Sequence, residues 1–154
     1  MQAAPLILAR TVVHAEVFEA SAAAVWKLLV DWAGIGLWMP EAHIRSVEIE
    51  GSGPGAVRHL VTGQGVRIAE RLDTADEAAG IVELSILEPL PWGMLSYRAR
   101  ATLQQLGGNR CRLTWRGTFT MPESGPDPEA LARFLKKAYQ AMFLGIRRAS
   151  EGKT

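Results

Sequence analysis

The chain has 154 residues, 48% of them apolar and 21% charged, and its 17 basic side chains against 16 acidic ones leave a net charge of +1. That length builds one ordinary core and not two, and the composition excludes a disordered or fibrous class. With no basic block there is no electrostatic footprint for nucleic acid, and no such partner is expected.

Residues 1–10 hold a short apolar run without a basic start or a cleavage signature, which argues against a secretory leader. No run approaches the length of a membrane-spanning helix, so no stable membrane insertion is expected. Cys111 is the single cysteine, so no internal disulfide forms, in keeping with a cytoplasmic location. Its alternating neighbours mark it as a small core residue rather than a nucleophile.

Residues 10–19 are valine-rich and free of glycine and proline, which predicts a strand. The period then changes: Ser21 suits an N-cap, and Ala24, Val25, Leu28 and Leu29 recur at helical spacing as far as Asp31. Residues 32–40, with Gly34, Gly36 and a closing Pro40, read as a second short helix or turn. From Ala42 to Met121, turns at 51–55, 63–65, 76–80, 88–93 and 107–109 separate six further strands. Connections this short join antiparallel neighbours, so these strands form a meander. Beyond 122–128, the residues Leu131, Phe134, Leu135, Ala138, Met142 and Ile146 mark one face of a long amphipathic helix ending near Ala149. One sheet face and one helix stripe are buried most simply by laying the helix across the concave side of the sheet. The expected fold is therefore a single α+β domain over 1–154, a helix grip whose strong twist leaves a cavity.

Strand alternation assigns the faces. Arg98 and Arg100 point outward, leaving Tyr97, Ala99, Ala101 and Leu103 inside; Arg110, Arg112 and Arg116 point outward, leaving Cys111, Leu113, Trp115, Gly117 and Phe119 inside. Val82, Leu84 and Ile86 are inward, Glu83 and Ser85 outward. Two charged residues break the rule: Glu70 falls with Val66, Ile68 and Leu72, and Arg58 with Leu60 and Thr62, while His59 faces away. A buried carboxylate needs a partner, so Glu70 and Arg58 either satisfy each other or supply polar contacts to a ligand.

The motifs Ala24-Val25-Trp26, Gly55-Ala56-Val57-Arg58 and Glu70-Arg71-Leu72-Asp73, in this order of elements, resemble the polyketide cyclase and dehydrase-like branch of the START superfamily, over Val12 to Ala149. The resemblance implies a helix-grip fold with a ligand cavity. The superfamily includes polyketide cyclases, lipid carriers and hormone receptors. In the related plant abscisic-acid receptors, the positions corresponding to Glu70 and Tyr97 line the pocket. The receptors' carboxylate-binding lysine has no clear equivalent, since His43 and Arg45 are the nearest cations, so an acidic hormone is not implied.

The expected ligand contacts are Arg58, Leu60, Thr62, Glu70, Leu84, Tyr97 and Trp115 from the sheet, Trp38 and Trp92, and Leu135 and Met142 from the helix. The tryptophans suit a flat or polycyclic molecule, whereas Trp26 reads as core. Trp92, in the 90–93 loop, suits a gate at a cavity mouth; the loop 62–65 occupies the receptors' gate position but equally suits a plain hairpin turn. No serine, histidine and acid constellation is evident, His14, His43 and His59 lack metal-ligand spacing, and no phosphate loop occurs, so neither metal nor cofactor is expected. Three functions remain open. The first is a binder or carrier of a small hydrophobic molecule, as monomer or homodimer. The second is a polyketide cyclase or dehydratase with Glu70 as acid or base and Tyr97 or Arg58 steadying an enolate. The third is a START-related protein-interaction module, which calls for a filled core.

Overall fold

In the computed structural model, which describes residues 6–39 and 43–151, valine-rich alternation carries β1 over Ile7–Phe18. Helix α1 follows at Ala22–Val30, where the Ser21 hydroxyl accepts from the Ala24 amide at 3.1 Å and so satisfies one of the free N–H groups of the first turn. A 3₁₀ turn over Trp32–Gly34 leads into the short α2, Ile35–Trp38. Pro40 and Ala42, expected to close this region and to open the next strand, lie outside the described residues, as do residues 1–5 of the N-terminal stretch.

Six strands follow: β2 (Ile44–Glu50), β3 (Val57–Thr62), β4 (Arg67–Asp76), β5 (Ile81–Ile86), β6 (Ser96–Leu106) and β7 (Arg110–Pro122). All pair antiparallel, in the order β1-β7-β6-β5-β4-β3-β2. The meander expected for β2 to β7 is thus present, and β1 closes onto the last strand, with Ile7 opposite Pro122 and Phe18 opposite Cys111. A bulge in β4 between Leu72 and Thr74 turns Asp73 over the outer face. There its carboxylate accepts from Arg71 and from the hydroxyl of Ser85, so Ser85 faces outward as expected yet is buried.

Helix α3 spans Pro128–Ser150, about 35 Å at the usual rise. Asp127 caps it by accepting from the Glu129 amide, proline occupies the first turn, and Arg147 and Arg148 sit in the last turn where they complement the helix dipole. Its buried stripe runs Leu131, Leu135, Tyr139, Phe143, Ile146. This is rotated from the expected stripe: Phe134 is half exposed, and Ala138 and Met142 flank the buried line. Each large apolar side chain of the stripe contributes roughly 1.5–3 kcal/mol through burial.

The helix also protects the open edge of β1. Lys136 donates from Nζ to the Val13 carbonyl at 2.6 Å, and Arg147 from Nη2 to the Val17 carbonyl at 3.2 Å, occupying edge groups that would otherwise template another strand. Phe18, Cys111, Leu113, Phe119, Met121, Phe143 and Ile146 are fully buried and form a solid core. The rest of the concavity is not filled.

Candidate functional site

A cavity of about 640 Å³ opens between the inner face of the sheet, α2 and the middle of α3. Ten of the eleven residues expected to contact a ligand line it: Arg58, Leu60, Thr62, Glu70, Tyr97, Trp115, Trp38, Trp92, Leu135 and Met142. Leu84 does not. It points inward as alternation requires, but it is fully buried within the core cluster and has no place on the cavity wall. Alternation settles a residue's face and not whether neighbouring side chains cover it.

Arg58 and Glu70 occupy directly opposed positions of β3 and β4, and Nε of the guanidinium donates to Oε1 of the carboxylate at 2.8 Å. Their side chains are 5% and 15% exposed, so this is an ion pair largely out of water. Both members also lie on the cavity wall, so the pairing and the lining coexist. Burial pulls the Arg58 pKa below its ordinary value, and the neighbouring Glu70 carboxylate opposes that pull. The guanidinium is further stacked on the Trp32 ring, with Cζ 3.5 Å from its centroid. Trp32 is itself fixed to β4, its indole N–H donating to the Glu70 carbonyl at 3.2 Å.

A second polar cluster lies on β6, β7 and α3. The hydroxyls of Tyr97 and Tyr139 are hydrogen-bonded at 2.6 Å, with the two residues 5% and 2% exposed. Tyr139 descends from the helix onto Gly117, where a Cβ would stand 1.9 Å from the Tyr139 hydroxyl and 2.8 Å from that of Tyr97. Mid-strand glycine at this position is what lets the two rings meet over the sheet. Burial raises the Tyr97 pKa well above its ordinary value and pushes Tyr139 up to about 12, so both phenols stay protonated at neutral pH. Trp115 stands beside them, its ring 6.1 Å from that of Tyr139. Its buried indole N–H favours the ionised form of each phenol but meets neither oxygen in hydrogen-bond geometry.

The remaining expectations divide. Trp26 is core, away from the cavity. The 62–65 segment is a plain hairpin turn, closed by Gly65 N–H to the Thr62 carbonyl at 2.9 Å, and its first three residues also rim the cavity. Of the two nearby cations, His43 lines the cavity, while Arg45 donates to the Gly63 carbonyl at 2.7 Å and is not on the wall. Trp92 holds the left-handed conformation, φ +60°, rare for a bulky residue, and packs edge-on against Phe134 with ring centroids 5.0 Å apart. Trp32 and Tyr139 are among the wall residues that strand alternation and helix marking passed over. Tyr139 had a signal, four residues from both Leu135 and Phe143; Trp32 had none beyond its composition.

Residues 9–151 match the family described as polyketide cyclase / dehydrase and lipid transport. The chain belongs to that family. The resemblance carried by the Val57-Arg58 and Glu70-Arg71-Leu72 motifs is thereby borne out, and with it the polyketide cyclase and dehydrase-like branch of the helix-grip superfamily. No curated protein matches the chain in sequence. Solved structures do. The protein XoxI from Bacillus cereus is similar with a TM-score of 0.78 and 22% identity, covering 92% of this chain and 96% of that one. Ara h 8.0201 gives 0.74 and 20%, covering 91% and 96%. A point mutant of norcoclaurine synthase from Thalictrum flavum gives 0.74 and 17%, covering 93% and 94%. At these identities the likeness establishes the shared helix-grip fold of this family member.

Proposed function

We propose that this protein binds a small hydrophobic molecule in its internal cavity. The observation that carries the reading is the hollow of about 640 Å³, walled mainly by aromatic and aliphatic side chains with a few convergent polar groups, which is the usual make-up of a small-molecule site. The family description, which includes lipid transport, supports it. So does the same fold in norcoclaurine synthase from Thalictrum flavum, whose structure was solved with dopamine and hydroxybenzaldehyde. The protein-interaction alternative calls for a filled core, which this hollow does not provide.

A second reading, a cyclase or dehydratase, has one observation in its favour: Glu70, Arg58 and Tyr97 share a single cavity wall. Against it, Oε1 of Glu70 is already held by Arg58, so as a base the carboxylate would act while paired. Glu70→Gln should abolish turnover with binding kept if the second reading holds.

The binding reading is tested by titrating the protein with N-phenyl-1-naphthylamine, a neutral apolar fluorophore. Saturable enhancement is expected, and Ala138→Phe, which places a ring in the cavity from α3, should abolish it. Undiminished binding in that variant would place the probe elsewhere and overturn the assignment.

A further inference from the structure

The Tyr97, Tyr139 and Trp115 cluster carries more hydrogens than it has acceptors. Three donor hydrogens converge there, two phenolic O–H groups and one indole N–H, and the only acceptors within the cluster are the two phenol oxygens. One O–H is used in the Tyr97–Tyr139 contact. Even if small movements let the indole donate to a phenol oxygen, the second phenolic proton has no acceptor among the described residues. The hydroxyls cannot shed that proton by ionising, because burial holds both phenols in the neutral form. A buried donor left unmade is costly, whereas a ligand oxygen that only accepts would complete the cluster.

The charges on the wall decide what kind of oxygen. Arg58 is the one guanidinium among the described wall residues, and it already faces Glu70. His43, the other basic side chain among those wall residues, is exposed to solvent, so an anionic head group seated in the interior would meet a balanced pair and would lose its hydration without compensation. A neutral carbonyl meets the surplus proton and carries no charge to desolvate.

We propose that the cavity selects flat apolar molecules bearing a neutral carbonyl, seated with its oxygen on the Tyr97–Tyr139 hydroxyl pair. This rests on the binding reading above and names the ligand class for the same site. Because either phenol alone would still offer a free proton, removing one hydroxyl should leave the selectivity largely intact, and removing both hydroxyls together with the Trp115 indole N–H should erase it.

The test compares 9-fluorenone with fluorene, which share one ring skeleton and differ by the carbonyl, as competitors of N-phenyl-1-naphthylamine. In the unmodified protein fluorenone should bind on the order of tenfold tighter, the size of one net hydrogen bond. In Tyr97→Phe/Tyr139→Phe/Trp115→Phe the two should bind alike, with fluorene affinity retained as the control for folding. Equal binding in the unmodified protein overturns the carbonyl inference and leaves the binding reading standing. A preference that survives in the triple variant removes the cluster as its cause and overturns the assignment. If neither competitor nor probe binds, the binding reading and the inference fall together.

Discussion

Arg58 and Glu70 face each other across β3 and β4, joined at 2.8 Å, and the Trp32 ring closes the far side of the guanidinium. This arrangement places an ion pair where the alternation of both strands demands apolar side chains. Its cost structure yields a first prediction. Truncating one partner strands the other charge out of water, so Glu70→Ala should destabilise the fold by about 3 kcal/mol. Replacing both, as in Arg58→Met/Glu70→Leu, should be nearly neutral. Urea unfolding measures both, and equal losses in the single and double variants would show the pair to be net stabilising.

The contact of Tyr139 with Gly117 makes a second prediction. Alanine at 117 would put its Cβ 1.9 Å from the Tyr139 hydroxyl, and overpacking of this kind costs about 1–3 kcal/mol. Tyr139→Phe removes the oxygen that collides, so the double variant should recover part of the loss. A double-mutant cycle in thermal unfolding reads this as coupling; strictly additive effects would mean that the ring relocates without strain.

Acid should weaken the seam between β1 and α3. Burial raises the pKa of Glu16, but hydrogen bonds from His14 and Arg147 outweigh it and hold the carboxyl below its ordinary 4.5. A depressed folded pKa means that the stabilisation is present above pH 4.5 and is lost as pH falls through the folded value. The carboxylate is partly exposed, so the amount is about 1 kcal/mol or less. Stability measured from pH 7 down to pH 3 should fall less steeply in Glu16→Gln than in the unmodified protein.

Trp92 and Phe134 form the aromatic contact at the rim of the cavity. Trp92→Gly relieves a left-handed backbone strain of order 1 kcal/mol but loses a partly buried ring packed against the core, so a net destabilisation of about 1–3 kcal/mol is expected in urea unfolding. Release of N-phenyl-1-naphthylamine should quicken several-fold in stopped flow. Unchanged release would direct the exit past the 62–65 turn instead.

What the chain determined by itself was local. The caps at Ser21 and Asp127, the turns that delimit β2 to β7 and the period of α3 follow from side chains acting on their own backbone, within four residues of each other. Alternation likewise made Glu70 and Arg58 inward, because a strand has only two faces. The tertiary structure decided the rest. Pairing of β1 with β7 joins Ile7 to Pro122, far apart in the chain, and no local signal encodes such a partner. The rotation of the buried stripe toward Tyr139, and the covering of Leu84 while Val82 and Ile86 stay on the wall, depend on where the helix settles against the twisted sheet. A residue's face is a property of its own strand or helix, whereas the space in front of it belongs to whatever packs opposite.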